Sequence, residues 1–408
     1  MFDPAIRNSA LIVLSNNDGA IVALSPEAKR IGIPKFEPYF KLQKFLAQNN
    51  VVVKSSNYAL YADISEKLMA VIGRFCDHQY IYSIDESFLK FDGYNTTIKD
   101  WYEYGHQIRR AAWRETKIPI GVGFGPTPTL AKASSHASKR IQGYQGIAVI
   151  DDERSRKHIL SSMSVTDVWG IGNRLGKKLN IMGINTALDL ANMSPKQARK
   201  SFSVLVERTV RELNGTVCLE WDELPQAKKE IYSTKSFGNR ISDVHALKSA
   251  LISHCETVCK KLRKQQSVAT QFVVFASSSP HDAQRNNEPF FRRSYHIAFP
   301  VGTSDPTVLA NEINAVLPHL FQPGVKYYRA GIGAIELASQ KFNQADLFNI
   351  SQDNKPLMDC LDTINKRYGA GTLSLASAQQ TKRWQMKQEF MSPQYTTNWR
   401  HIPLINCS

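Results

Sequence analysis

The sequence predicts a multidomain α+β protein, and three observations support this. Strand-like and helix-like segments alternate over about the first 150 residues, as in α/β and α+β domains. Residues 163–214 show a purely helical pattern with short connections. Residues 228–341 follow the order β-α-β-β-α-β, a split βαβ layout. A chain of 408 residues is long enough for two to three such domains at about 150 residues each.

The individual elements follow from short apolar runs and helical spacing. Strands are predicted at residues 10–14 and 21–24, with a turn at 15–19 and a short helix at 26–31. A helix, a strand–turn–strand unit, a helix, a strand and a helix follow, at residues 59–75, 79–92, 100–113, 119–125 and 127–139. In the last region, the predicted strands and helices are 231–237, 244–264, 270–277, 292–299, 306–317 and 327–338.

Composition narrows the functional class. The 51 Lys and Arg residues exceed the 36 Asp and Glu residues, so the net charge is +15, and nearly half of the surplus lies in 228–341. Such a charge favours a polyanionic partner, either nucleic acid or an anionic membrane. The sequence has no run of 18 apolar residues and no signal-peptide pattern, so it predicts neither a transmembrane nor a secreted protein. Six cysteines without a C-x-x-C pair argue against a zinc site or a disulfide framework.

The strongest local motif is an acidic pair between two strand-like runs, in residues 82–88 (YSIDESF). Asp85 and Glu86 would repel each other at an exposed strand junction unless a cation lay between them. Mg²⁺ prefers such oxygen ligands, and two metal ions can activate an attacking oxygen and stabilise a leaving one in phosphoryl transfer. The alternative is a solvated acidic hairpin turn.

A second motif, residues 168–172 (VWGIG), opens a helical run. Gly170 and Gly172 would present backbone N–H groups at a helix N-terminus, which bind phosphate without reading sequence. Arg174, Lys177 and Lys178 add positive charge to what resembles a helix-hairpin-helix. The alternative is a tight turn between packed helices.

Two further signals are weaker by themselves. Lys29 and Lys139 each lie on a short predicted helix near a strand and could hold a triphosphate as point charges. The simpler interpretation of either is a solvated surface lysine. In the linker, Leu347 and Phe348 of QADLF (344–348) would anchor a peptide in a partner's pocket, or would fold back on their own domain.

These signals occur in the order found in one family. The chain resembles Y-family translesion DNA polymerases, most closely their UmuC-type branch, over nearly its whole length. The matching segments include SNNDG, SSNYALYADIS, YSIDESF, GVGFGPTPTLAKASSHASK, DVWGIGNRLGKKL and QADLF. The resemblance implies an α+β right-hand polymerase with fingers at 1–57, palm at 58–165, a helix-hairpin-helix thumb at 166–227 and a little finger at 228–341. A linker with a clamp-binding peptide (342–357) and a UmuC-type C-terminal extension (358–408) would follow.

The resemblance also implies residue roles. Asp85 and Glu86 match the catalytic palm carboxylates that hold two Mg²⁺ ions. The residues that match nucleotide contacts are Lys29, Lys139, Ala20 and Val22, of which the last two are small residues over the nascent base pair. The residues that match DNA contacts of the thumb are Gly170, Gly172, Arg174, Lys177 and Lys178. The clamp-binding residues would be Gln344, Leu347 and Phe348.

The partners implied by the resemblance are primer–template DNA, a dNTP, the sliding clamp, a cleaved UmuD-like dimer and a RecA filament. No membrane partner is expected, and the location would be cytoplasmic and nucleoid-associated. The implied function is error-prone translesion DNA synthesis in SOS mutagenesis.

One part of the family pattern has no counterpart in the sequence. The family begins with a palm strand carrying Asp-x-Asn-x-Phe-Tyr, which supplies a third metal carboxylate and a steric gate against ribonucleotides. A mis-assigned start codon or a truncated gene would explain the difference. The other explanation is a catalytically impaired chain that only binds primer–template DNA and the sliding clamp. A third hypothesis, a structure-specific nuclease, rests only on the positive charge and the helix-hairpin-helix. The Lys29/Lys139 pair and the β-α-β-β-α-β layout argue against it.

Overall fold

The computed structural model describes residues 2–219, 227–287, 289–342, 352–378 and 386–402. The chain divides into two compact units, each built from separate stretches of sequence. Unit 1 takes residues 57–224 together with 1–4 and 393–408, and unit 2 takes residues 5–56 and 225–392. The domain bounds derived from the sequence stay a prediction.

Unit 2 begins with a three-stranded sheet, which we call the N-terminal sheet. Its strands are β1 (Leu11–Leu14), β2 (Ile21–Leu24) and β3 (Val52–Ser55), and the helices between β2 and β3 are α1 (Pro26–Arg30) and α2 (Tyr39–Gln48). The strand order is β2-β1-β3, with β2 antiparallel and β3 parallel to β1. Ile12 and Leu14 are fully buried because alternate residues of a strand share one face.

Unit 1 begins with helices and short strands. These elements are α3 (Tyr58–Gly73), β4 (His78–Ile81), β5 (Ser87–Lys90), α4 (Trp101–Thr116), β6 (Val122–Phe124), α5 (Pro128–Arg140), β7 (Ile147–Val149) and α6 (Glu153–Ser162). Strands β4 and β5 form an antiparallel hairpin, and β6 pairs in parallel with β7. An apolar groove of about 540 Å³ runs beside β4, and its lining includes Met69, Ile81 and Ile84.

Between Asn173 and Leu213, unit 1 consists of helices with short connections, as the sequence predicts. The helices are α7 (Asn173–Ile181), α8 (Ala187–Ala191), α9 (Pro195–Ser201) and α10 (Val204–Leu213). Leu179, Leu190 and Val210 are fully buried and share one hydrophobic core with Leu130 of α5. The α7–α10 helices and α5 therefore pack as one body.

Unit 2 resumes with the predicted β-α-β-β-α-β region, which we call the C-terminal sheet domain. Its elements are β8 (Ile231–Ile241), α11 (Val244–Lys264), β9 (Ser267–Ser278), α12 (Pro280–Asn286), β10 (Arg292–Thr303), α13 (Pro306–Leu320) and β11 (Tyr327–Ser339). The strand order is β10-β9-β11-β8 with antiparallel neighbours, so β8 and β9 run parallel on either side of β11. This confirms the predicted split βαβ layout. Helices α11 and α13 pack on the sheet, and their buried residues share one hydrophobic core with Phe237, Phe272 and Tyr327 of the strands.

A last helix, α14 (Lys355–Tyr368), begins inside the range predicted as a linker. It starts there because the Asn354 side chain accepts a hydrogen bond from Leu357 N at 3.1 Å, which caps the helix. Asp362 on α14 forms an ion pair with Arg263 of α11, with N–O distances of 2.7 and 2.9 Å. Within the described ranges, no helix is both long and apolar enough to cross a membrane.

Candidate active site

The acidic pair lies in the turn of the β4–β5 hairpin, as the sequence predicts. The turn is closed by Tyr82 N and Ser83 N, which both donate to the Glu86 carbonyl at 3.1 Å. The Ser83 hydroxyl donates to Asp85 Oδ1 at 2.5 Å, which orients this exposed carboxylate. The turn therefore presents two adjacent carboxylates from a fixed backbone.

Helix α5 lies against β6 at very short range, and glycines make this possible. In the segment GVGFG, a Cβ at Gly123 would lie 2.1 Å from Ser135 N, and a Cβ at Gly125 would lie 2.8 Å from Ala131 N. Alternate residues of a strand point to one face, so the glycines leave this face flat for the helix. The spacing G-x-G-x-G thus brings the side chains of α5 close to the sheet and to the acidic turn.

A cavity of about 320 Å³ is bounded by the acidic turn and one face of α5. The α5 residues that line it recur at helical spacing and are Lys132, Ser135, His136, Lys139 and Arg140. Lys132 Nζ lies 2.5 Å from Glu86 Oε1, so an ammonium group already occupies the position of a cation at this carboxylate. The cavity thus combines two carboxylates, Glu86 and Asp167, with a row of positive charges.

The positive charge of this cavity at neutral pH comes from its lysines and arginine, and Glu86 and Asp167 supply negative charge. Burial lowers the pKa of His136, Asp167 partly opposes that shift, and the nearby Arg140 and Lys139 lower the pKa further. The lowered pKa favours the neutral form of the imidazole at pH 7. Lys132, Lys139 and Arg140 supply the positive charge of the face.

Aromatic side chains close one side of the cavity. Trp169 Nε1 donates to the Tyr82 hydroxyl at 3.3 Å, and the two rings meet edge to face with centroids 5.5 Å apart. Phe88 packs on both rings, at 6.0 Å from Tyr82 and 5.7 Å from Trp169. The acidic hairpin is thus held against the segment that precedes α7.

The N-terminus of α5 is fixed by a buried carboxylate of α10. Glu212 is fully buried, and its Oε2 accepts hydrogen bonds from Thr129 N at 3.0 Å and Thr129 Oγ1 at 2.5 Å. Its Oε1 accepts from Cys218 N at 3.1 Å and Leu219 N at 2.9 Å. Because a helix N-terminus favours negative charge, this residue stabilises the start of the helix that carries Lys132 and Lys139.

The glycine hairpin before α7 forms as predicted. Gly170 has φ +86°, in the left-handed region that favours glycine, and Gly172 is the N-cap of α7. The basic residues beyond it, Arg174, Lys177 and Lys178, are exposed, and within the described ranges none has an acidic partner in a salt bridge. The hairpin therefore presents a helix N-terminus flanked by three free cations.

The predicted fingers residues Lys29, Ala20 and Val22 lie in unit 2. Lys29 is exposed in the last turn of α1, whose N-cap Ser25 also accepts from Leu11 N at 3.1 Å. Ala20 bonds Ser15 through both its amide, at 3.0 Å, and its carbonyl, at 2.7 Å. Val22 lies on β2 at a register shift against β1, which is where a bulge re-aims side chains.

The structure groups some predicted site residues and leaves others apart. Glu86 and Lys139 line the same cavity, whereas Asp85 is exposed on the turn and is not among the lining residues. Lys132, His136 and Arg140 were missed, although their spacing from Lys139 on one helix was a signal for them. Gln344, Leu347 and Phe348 lie outside the described residues.

The donor set suits a hard divalent cation. Both side chains of the turn offer carboxylate oxygens, the ligand type that such cations prefer. The ammonium of Lys132 at Glu86 marks a position that attracts positive charge. Within the described residues, no group of three or more His, Cys, Asp and Glu side chains forms a denser ligand cluster.

Comparison with known proteins identifies the family. The impB/mucB/samB family model matches residues 1–136, and the model of the C-terminal domain of that family matches residues 228–347. Protein ImpB of Salmonella typhimurium is 38% identical over 409 residues, covering 99% of this chain and 95% of the relative. The chain belongs to the impB/mucB/samB family.

Other relatives support the assignment to the impB/mucB/samB family. Protein UmuC of Salmonella typhimurium is 37% identical and covers 98% of this chain and 95% of its own length. DNA polymerase IV 1 of Bacillus subtilis is 23% identical over 387 residues, with 90% and 86% coverage. Residues 355–405 match a domain of unknown function, DUF4113.

Solved structures show the same fold. A Y-family DNA polymerase chimera built on Dbh superposes with a TM-score of 0.59 at 18% identity, covering 82% of this chain and 93% of the other. The Dbh DNA polymerase in its insertion ternary complex gives a TM-score of 0.50 with the same identity and coverage. The predicted α+β polymerase fold and the resemblance to Y-family polymerases are both confirmed.

Proposed function

We propose that this protein is a DNA-directed DNA polymerase that carries out error-prone translesion synthesis in SOS mutagenesis. The observation that carries the proposal is the acidic turn of Asp85 and Glu86 beside the basic face of α5, in a member of the impB/mucB/samB family. Nucleotidyl transfer needs this combination, because carboxylates hold divalent cations and fixed cations hold the triphosphate. The substrates are primer–template DNA and a dNTP.

Three residues of the cavity, Glu86, Lys132 and Lys139, and the neighbouring Asp85 have roles in this reaction. Asp85 and Glu86 would hold the divalent cations, for which we propose two Mg²⁺ ions. Bound there, the ions would supply activation of the primer 3′-hydroxyl and charge stabilisation of the leaving pyrophosphate. Glu86 becomes a ligand when Lys132 leaves it, and Lys132 then joins Lys139 in binding the triphosphate oxygens.

The residues of the N-terminal sheet serve nucleotide selection. We assign Lys29 to the triphosphate, which its exposed position near the end of α1 supports. Ala20 and Val22 face the nascent base pair in this proposal. Small side chains there leave room for a distorted template base, which is the requirement of lesion bypass.

The α7 hairpin and the C-terminal sheet domain bind the duplex. The backbone N–H groups of the first turn of α7, which Gly172 leaves without a side-chain cap, would contact phosphates together with Arg174, Lys177 and Lys178, without reading sequence. In the C-terminal sheet domain, the exposed Arg292 and Arg293 of β10 supply positive charge. A net charge of +15 supports strong and salt-dependent attachment to DNA.

Membership of the impB/mucB/samB family supports a proposal about protein partners. We propose that Gln344, Leu347 and Phe348 bind the sliding clamp, and that the C-terminal extension contacts a cleaved UmuD-like dimer and a RecA filament. Because the template is chromosomal DNA, we expect the protein in the bacterial cytoplasm at the nucleoid.

Primer extension tests the catalytic assignment. The protein is expressed as its gene encodes it, including any in-frame codons upstream of Met1, and is given a labelled primer–template, dNTPs and Mg²⁺. Asp85→Ala and Glu86→Gln should each abolish extension. The matched control is Asp92→Asn. Asp92 is an exposed carboxylate near the same hairpin, and its Oδ2 lies 2.8 Å from Lys90 Nζ. Extension that survives Asp85→Ala would refute the site.

DNA binding distinguishes the second candidate, a chain that binds DNA without catalysis. That candidate predicts primer–template binding with no incorporation by the wild-type protein, whereas the polymerase predicts both. Replacing Arg174, Lys177 and Lys178 with Gln should weaken binding and reduce the salt slope by up to about 0.9 for each phosphate that is no longer neutralised. An unchanged slope would remove the α7 hairpin from the DNA interface.

A further inference from the structure

The turn between β1 and β2 holds two consecutive non-glycine residues in the left-handed region. Asn17 has φ +60° and Asp18 has φ +49°, in the left-handed region that non-glycine residues rarely adopt in succession. Asp18 is 7% exposed, and its Oδ1 accepts a hydrogen bond from Ser55 Oγ at 2.6 Å. Ala20 follows two residues later, so the conformation of this turn sets the position of Ala20.

A segment near the C-terminus, residues 386–392, lies on this turn, and we call it the strap. Lys387 N donates to Asn17 Oδ1 at 3.0 Å, and Glu389 N donates to Asp18 Oδ2 at 2.8 Å. Both strained residues are therefore bound through their side chains by backbone amides of the strap. A strained backbone persists only where the surroundings hold it, and these amides supply part of that support.

The strap is fixed to the N-terminal sheet by a second set of contacts. Phe390 N donates to Ser55 Oγ and Ser55 N donates to the Phe390 carbonyl, both at 3.0 Å. Gln388 Nε2 donates to the Ser56 carbonyl at 2.8 Å. The Phe390 ring packs on the buried core of this sheet and meets Tyr39 edge to face at 5.7 Å. The strap thus contributes an aromatic side chain to the core as well as hydrogen bonds.

The chain that leads to the strap is anchored on the C-terminal sheet domain. Asp362 pairs with Arg263 of α11, and Leu375 N donates to Glu256 Oε1 of the same helix at 2.6 Å. The turn itself also contacts this domain, since Asn17 Nδ2 donates to the Ser236 carbonyl of β8 at 3.0 Å. The strap and β8 therefore hold Asn17 from two directions within unit 2.

We propose that the strap is a positioning element for nucleotide selection: it holds the strained turn at 15–19 and thereby fixes Ala20 and the start of β2 against the nascent base pair. The inference rests on the proposed function, because it uses the role assigned to Ala20. It gives the C-terminal extension a task inside the polymerase in addition to any contact with other proteins.

Hydrogen exchange of the full chain without DNA tests the physical half of the proposal. Phe390→Ala removes the aromatic anchor, and Glu389→Pro removes the N–H that binds Asp18 while keeping the anchor. Each should speed amide exchange of peptides that cover residues 15–24 by about tenfold or more, with β8 unchanged as an internal reference. The matched control is Trp399→Ala, because this aromatic residue of the extension is 90% exposed.

The exchange outcomes are decisive in both directions. Peptides 15–24 that stay at the wild-type rate while peptides 386–392 exchange faster would overturn the proposal, because the strap would then be released without effect on the turn. If Phe390→Ala also accelerates β8, that variant has unfolded the unit, and the result of Glu389→Pro decides.

Single-nucleotide insertion tests the functional half. Glu389→Pro should raise KM for the correct dNTP by about fivefold with kcat within about twofold, because a misplaced Ala20 weakens nucleotide binding. A purely structural role would lower the active fraction, and so kcat, with KM unchanged, and that result would overturn the proposal. If the wild-type protein inserts no nucleotide, the proposed function fails while the exchange measurement still tests the strap.

Discussion

Glu212 offers a sharp test of how the α5 helix is held. All four of its hydrogen bonds come from donors, two on Thr129 and the amides of Cys218 and Leu219. In Glu212→Gln the amide NH₂ group must face one of these pairs. It will face Thr129, because the hydroxyl can rotate to accept, but Thr129 N is then left without a partner.

The size of the effect follows from these contacts. An unsatisfied buried N–H costs about 1–3 kcal/mol, and the remaining bonds lose the extra strength that a charged acceptor gives. We expect the free energy of unfolding to fall by about 3 kcal/mol in total. For a unit of this size that corresponds to a decrease in Tm of about 6–12 °C.

Calorimetry at pH 7 measures the prediction, with Glu103→Gln as the control. Glu103 has a side chain that is 51% exposed and pairs with Arg110 only at 3.5 Å, so its loss should change stability by less than about 0.5 kcal/mol. A Glu212→Gln transition that stays within about 2 °C of this control would refute the reasoning, because the carboxylate could not then be a significant support of α5.

Three further predictions concern packing and pH. Gly123→Ala should destabilise unit 1 by about 1–3 kcal/mol or more and reduce primer extension, because its Cβ would lie 2.1 Å from Ser135 N; an extension rate equal to wild type would contradict this. Tyr327→Phe should cost about 1–3 kcal/mol in urea unfolding, because the buried hydroxyl accepts from Gln322 N at 2.7 Å; an unchanged midpoint would be the contrary result. Burial lowers the pKa of His254 from 6.5 to about 4 in the folded state. Between these two pH values the unfolded state binds a proton at His254 and the folded state does not, so the free energy of unfolding should fall by about 3 kcal/mol as pH drops from 6.5 to 4. His254→Asn should flatten that part of the pH profile, and profiles of equal slope would show that the histidine is not responsible.

Much of the architecture was predictable because it depends on local patterns. The glycines at 170 and 172, the acidic turn and the long amphipathic helix α11 each carry a signature in a few neighbouring residues. The elements that were missed are weaker locally: β3 and β7 have four and three residues, and α2 has a single buried residue, Leu46. Strands this short form because partners distant in sequence cover them.

The candidate site likewise contains some features that the sequence indicates and others that only the structure reveals. The acidic pair and Lys139 were found by residue type, whereas the ion pair of Lys132 with Glu86 appears only when the acidic turn and α5 are brought together. The strap could not be predicted, because most of its bonds to the turn come from backbone amides, which every residue except proline possesses. Glu212 gave no signal either, since a buried carboxylate is identical in sequence to a surface one.

The interleaving of the two units has a consequence for biosynthesis. Asn17 finds its partner Ser236 only after 219 further residues have been made, and Asp18 meets Glu389 after 371. Contacts of such separation are slow to form, and a nascent chain exposes unfinished apolar surface in the meantime. The core around Ile12 and Leu14 lacks Phe390 until residue 390 has been made. We therefore expect the N-terminal sheet to need chaperone protection on the ribosome, and the polymerase to become competent only after the strap has emerged.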